Sequence, residues 1–82
     1  MTNFAITLEK AGVENTRAVI IAQTETGKYV ENVFEADPEN LDAMWSLIAD
    51  QYPSLTNVLV DGEFVEADCL TVREAAEAAF AA

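Results

Sequence analysis

Thr56-Asn57-Val58-Leu59-Val60-Asp61-Gly62-Glu63-Phe64-Val65-Glu66 is the stretch that decides the architecture. Two short runs rich in valine, leucine and phenylalanine flank Asp61-Gly62. Asp-Gly is the dipeptide selected by type I′ hairpin turns, because both central residues must take positive φ. The turn sets the register, with Leu59 opposite Phe64 and Val58 opposite Val65. A hairpin needs a layer to cover its apolar side, and the segments on both flanks supply helices.

Upstream, Asp37-Pro38 starts a helix. Asp is a good N-cap, and proline at the first helical position loses no donor that the helix needs. Leu41, Met44, Trp45, Ile48 and Tyr52 recur at steps of three and four and form one apolar stripe, while Glu39, Asp42, Ser46 and Asp50 fall away from it. Pro53 ends the helix. Downstream, Thr71-Val72-Arg73-Glu74 is a capping box, in which the threonine hydroxyl and the glutamate carboxylate satisfy each other's free backbone donors. Leu70 sits where a hydrophobic staple would, and the Ala-rich run from Glu74 to Phe80 continues the helix.

Further toward the N-terminus, Arg17 to Gln23 and Tyr29 to Ala36 read as two strands around Thr26-Gly27, with glycine supplying positive φ. A two-residue loop there sets Glu25 opposite Lys28, Val19 opposite Phe34 and Ile21 opposite Asn32. The other face then carries Ile20, Val33, Glu31 and Glu35. Thr2 to Ala11 fits two periods. Phe4, Leu8 and Ala11 make a helical stripe with Gly12 as its C-cap, whereas Phe4, Ile6 and Leu8 alternate as in a strand. The glycine favours a short helix. The expected fold is α+β over a single domain, residues 1–82, in the order α-β-β-α-β-β-α. Its sheet is four-stranded and mostly antiparallel, with helices on one face and no required parallel pair.

Eighty-two residues with 51% apolar content make one foldable domain, and the composition is not that of a disordered chain. The charge is what stands out. Fifteen acids face four bases, Lys10, Arg17, Lys28 and Arg73, for a formal charge of -11, and histidine is absent. Phosphate backbones and anionic lipid are bound by clustered Lys and Arg, so direct nucleic-acid binding and membrane-surface binding are poor readings. A basic protein surface would be attracted. Cys69 is the single cysteine, which excludes an internal disulfide, and beside Leu70 it reads as a small core residue. No basic region precedes an apolar stretch at the start, and no apolar run reaches the ~18 residues of a membrane span. A cytoplasmic protein without a signal peptide is expected.

The residues of most catalytic constellations are missing. A nucleophilic triad needs a base beside Ser, Thr or Cys, and there is no histidine to act as one. Asp68 next to Cys69 would raise the thiol pKa, the wrong direction for a nucleophile. Paired carboxylates could act as acid and base, but a catalytic acid needs a desolvating cleft, and so short a chain has little room for one. Zinc and iron sites want His and Cys ligands. Asp37-Pro38-Glu39-Asn40-Leu41-Asp42 lacks the central glycine of an EF-hand loop, and Asp61-Gly62-Glu63 is accounted for by its hairpin turn. No glycine-rich phosphate loop occurs. No catalytic residue, metal or cofactor is expected.

The acids are unevenly spread. Eleven of them, Glu25, Glu31, Glu35, Asp37, Glu39, Asp42, Asp50, Asp61, Glu63, Glu66 and Asp68, are offset by Lys28 alone between positions 25 and 68. A solvated surface that keeps the protein soluble would explain such a surplus. Like charges also cost stability, so a one-sided concentration points to a binding face, with Glu31, Glu35, Glu39, Asp42, Asp50, Glu63 and Glu66 as the expected contact residues. In being short, acidic and cysteine-poor, the chain resembles small phage proteins that block restriction enzymes, CRISPR effectors, glycosylases or polymerases. The resemblance is one of composition, with no shared motif. It implies an inhibitor from a phage or mobile element whose carboxylates stand in for a phosphate backbone. Such a protein would occupy the basic nucleic-acid-binding surface of a host protein in the host cytoplasm. The competing expectation is a structural or self-associating protein, such as a virion component or homodimer, drawing on apolar residues on both sheet faces.

Overall fold

The computed structural model describes residues 2–67 and 71–81. Its elements run β1 (Asn3–Ala11), β2 (Asn15–Thr24), β3 (Gly27–Ala36), a 3-10 turn (Pro38–Asn40), α1 (Leu41–Gln51), β4 (Asn57–Val60), β5 (Glu63–Glu66) and α2 (Val72–Ala81). The sheet has five strands in the order β3-β2-β1-β4-β5. The α+β class and the helices at 41–51 and 72–81 agree with expectation, and three details differ.

The first segment is a strand, not a helix. β1 pairs antiparallel with β2 along its whole length, and Ile6 also meets Val58 of β4 in a parallel pairing. Gly12 has φ +72 and serves the β1–β2 turn instead of a helix cap. The order is therefore β-β-β-α-β-β-α, with five strands instead of four and a parallel pair at the centre. Burial decides between the two periods. Phe4, Ile6 and Leu8 lie opposite Ala22, Ile20 and Ala18, so the strand buries Ile6, which the helical stripe leaves out, and also satisfies the backbone on both sides.

The first hairpin turns one residue earlier than expected. Thr24 pairs with Gly27 across a Glu25-Thr26 loop, and Gln23 instead of Glu25 faces Lys28. The Thr24 hydroxyl holds the loop, accepting from the Thr26 N–H at 3.3 Å. A β-bulge then shifts the ladder. Ile21 pairs with Val30 but Ile20 with Asn32, leaving Glu31 as the extra residue. Beyond it Val19 faces Val33, not Phe34, and Phe34 faces Ala18. The expected grouping of Ile20 with Val33 is thus wrong: Ile20 is fully buried under the helices, and Val33 lies on the other face, 47% exposed.

Both helices cover one face, as expected. Ile6, Ala18, Ile20 and Val58 from the sheet form one core with Met44, Trp45 and Ile48 of α1, Leu55, and Ala76 of α2. Tyr52 closes its edge, edge-on to Phe4 at 5.2 Å and to Phe34 at 6.4 Å. The alanines at 18, 22 and 76 keep the layers close, because a larger side chain at any of them would hold a helix off the sheet. Asp37 caps as predicted, its Oδ1 accepting from the Asn40 N–H at 2.9 Å. Thr71 Oγ1 accepts from the Glu74 N–H at 3.2 Å, one half of the predicted capping box. Asp61 and Gly62 take φ 51 and 82, and β4 and β5 pair in the predicted register. Cys69, Leu70 and Asp68, read as core residue, staple and acid, lie outside the described residues.

No described helix covers the second face, which is concave. Lys28, at the start of edge strand β3, donates from Nζ to the Gly62 carbonyl at 2.6 Å, in the turn that leads into the opposite edge strand. Only a strongly coiled sheet brings its two edges together in this way. The bulge adds to that coiling. The curl shelters Ala5, which is fully buried, and Val19.

Candidate protein-binding surface

All seven acids singled out from the sequence are exposed. Five lie on neighbouring elements, though not on one face: Glu35 is on the sheet face away from the helices, and Asp42 borders the groove between α1 and α2. Glu31 and Glu35 lie on edge strand β3, Glu39 on the 3-10 turn that follows, and Asp42 and Asp50 on α1, which packs beside β3. Glu63 and Glu66 lie on β5, the opposite edge. The expected face is therefore divided, with the larger part along β3, the turn and α1.

Within that part the bulge separates the two strand acids. Glu35 lies on the concave face in a cross-strand row with Arg17 and Glu9; the guanidinium is 3.1 Å from Glu9 Oε1 and 3.7 Å from Glu35 Oε2. Glu31 stands beside Tyr29, whose pKa is raised first by the negative charge of Glu31, then by desolvation and by a hydrogen bond to the same carboxylate. Both Glu31 effects favour the protonated phenol.

The bases are largely occupied. Arg73 Nη2 reaches Asp42 Oδ1 at 2.7 Å and its Nε lies 3.3 Å from Glu77 Oε1, with the guanidinium 5.7 Å from the Trp45 ring centroid. The Asp42 hydrogen bond is the main reason its pKa is raised. Lys28 is held by the Gly62 carbonyl and lies 5.7 Å from the Phe64 centroid. Three of the four bases thus already have partners in the fold. Glu31, Glu39, Asp50, Glu63 and Glu66 have no basic partner among the described residues.

An open groove of about 440 Å³ runs between α1 and the start of α2, lined by Asp42, Trp45, Ala49, Tyr52, Val72 and Arg73. Trp45 Nε1 is buried and finds no acceptor among the described residues. The Asp42 side chain remains 89% exposed despite its arginine, so the groove does not desolvate its acid as a catalytic carboxyl requires. Among the described residues no charged or polar side chain is buried, and no three His, Cys, Asp or Glu converge as metal ligands. No described helix is long and apolar enough to cross a membrane.

Of the exposed apolar side chains of β3, Val33 was expected from the sequence on the outer face, whereas Tyr29 and Val30 were not found. Tyr29, Val30 and Val33 are 49%, 58% and 47% exposed. Val30 and Val33 are three apart, which in a regular strand puts them on opposite faces. Only the bulge brings them to one face, and no residue type marks a bulge of this kind. The chain matches no protein-family model, no curated protein and no solved structure.

Proposed function

We propose that this protein is a small acidic binding module, not an enzyme, whose β3–α1 side docks on the basic, nucleic-acid-binding surface of another protein. The observation that carries the proposal is the continuous stretch from β3 through the 3-10 turn to α1, which exposes Glu31, Glu35, Asp37, Glu39, Asp42 and Asp50. Among the described residues only Arg17 and Arg73 pair with any of them. Exposed carboxylates along such a stretch offer a cationic groove the charge that a phosphate backbone offers it. The composition, that of short acidic phage inhibitors, supports the inhibitor form of the proposal and a cytoplasmic site of action.

Glu31, Glu39 and Asp50 hold no arginine, so they can be reversed without breaking an ion pair in the fold. The immobilised protein should capture basic nucleic-acid-binding proteins from a cell extract. Captured proteins should be released by duplex DNA and by salt, since attraction is screened over about 8 Å at physiological ionic strength. Changing Glu31, Glu39 and Asp50 together to lysine should weaken binding to a captured partner at least tenfold, about 1.4 kcal/mol. Reversing Glu63 and Glu66 on the far edge should change it little. Binding that survives the first set unaltered, or that DNA does not displace, would overturn the proposal.

A further inference from the structure

We infer that β3 is also a homodimer strand: two copies join edge to edge, antiparallel, about a two-fold axis passing between Glu31 and Asn32. β3 is a ten-residue edge strand, long for an edge, and carries three of the exposed large apolar side chains, Tyr29, Val30 and Val33. Its free backbone groups follow from the ladder. Thr24 and Gly27 close a two-residue turn, so pairs at every second step toward the bulge exchange hydrogen bonds with β2, as Tyr29 does with Ala22. Lys28 and Val30 therefore turn their N–H and C=O groups outward. Beyond the bulge Val33 and Glu35 do the same. In keeping with this, the Val33 N–H is held by its neighbour's Asn32 Oδ1 at 2.8 Å and not by β2.

Placed against itself about that axis, β3 is self-complementary. Lys28 falls opposite Glu35 of the second copy, Val30 opposite Val33, Tyr29 opposite Phe34, and Glu31 opposite the Asn32 amide. Each pair also lies on one face. Lys28, Val30, Val33 and Glu35 oppose the concave-face residues Gln23, Ile21, Val19 and Arg17, whereas Tyr29 and Phe34 oppose the helix-face residues Ala22 and Ala18. An unbulged strand would set Val30 and Val33 on opposite faces, so the extra residue is what makes the register possible. The outward N–H groups of Lys28, Val30 and Glu35 in the two copies would make about six main-chain hydrogen bonds, and the Val33 N–H groups about two more on leaving Asn32 Oδ1. A lysine and a bulge ordinarily guard an edge against foreign strands. Here the same two features single out a second copy, since cation meets anion and valine meets valine in this register.

Two bodies of charge -11 repel, so added salt should favour the dimer. That is opposite in sign to binding a basic partner, so although both readings draw on β3, their salt responses tell them apart. Sedimentation equilibrium of the full chain at about 0.05 and 1 M NaCl should show dimer, with the dissociation constant at least tenfold lower in high salt. Val30→Glu should raise the dissociation constant at least tenfold with an unchanged circular dichroism spectrum. Lys28→Glu should weaken the dimer, and Lys28→Glu combined with Glu35→Lys should restore it, a recovery that mere misfolding would not give. A monomer at millimolar concentration in 1 M NaCl would overturn the inference. So would a dimer indifferent to Val30→Glu, or one broken instead by Val65→Glu on the opposite edge.

Discussion

Truncating Ile6 to alanine tests the central placement of β1. Ile6 is fully buried, faces Ile20 on one side and Val58 on the other, and belongs to the core under the helices. The change removes three carbons. At about 0.8 kcal/mol for each, the lost transfer energy is about 2.4 kcal/mol. Strands hydrogen-bonded on both sides of Ile6 leave the site little freedom to collapse, so a cavity term raises the expected cost to about 3–4 kcal/mol. For a chain of this length total stability is about 4–12 kcal/mol, so the loss is a large share of it. The thermal midpoint should fall by about 12–32 °C. Trp45 is the single tryptophan and is nearly buried, so its fluorescence during urea denaturation reports the transition directly. Thr7→Ala, next in sequence but on the concave face opposite Val19, is the control and should cost under about 1 kcal/mol. If Ile6→Ala costs less than about 1 kcal/mol, β1 does not run between β2 and β4.

Gly62 tests the second turn. A Cβ there would meet nothing within 4 Å, so only its φ of +82 opposes a side chain. Gly62→Ala should cost about 1 kcal/mol in the same denaturation assay, and Gly62→Asn clearly less, because asparagine tolerates the left-handed region. Tyr29 tests the bulge. Its phenolate absorbance should appear with a midpoint above the usual value of 10.0, and Glu31→Gln should lower that midpoint. Because the folded pKa is the raised one, the contact's contribution to stability is fully present below pH ~10 and is lost as pH rises through the folded value. An unshifted midpoint that ignores Glu31→Gln would separate the two side chains.

What was legible in the sequence was local. Asp37-Pro38 followed by the stripe Leu41, Met44, Trp45, Ile48 and Tyr52 located α1 and its buried side, and Asp61-Gly62 set the β4–β5 register. What was not legible depends on partners far along the chain. Phe4 and Leu8 suit either period, and what makes the segment a strand is the pairing of Ile6 with Ile20 and Val58, the latter fifty-two residues away. Glu31 and Glu35 were expected on one face, and a bulge that no residue announces put them out of phase. The core alanines at 5, 18, 22 and 76 give too weak an apolar signal to be picked out. For the binding surface, charge and its position along the chain were readable, but the separation of Glu63 and Glu66 from the other five follows from the strand order.

The position of β1 has a kinetic corollary. β1, made before the other described strands, lies in the middle of the sheet, and its second neighbour is made only after α1 is complete. The meander of β1, β2 and β3 can zip up from near neighbours, with one flank of β1 still unsatisfied and Ile6 uncovered. Closing that flank with Val58 must bridge most of the chain length, and such long loop closures govern folding speed in small domains. A ribosome-bound chain stopped before β4 would therefore display a sticky three-stranded ribbon, and emergence of β4 is the step that removes this hazard.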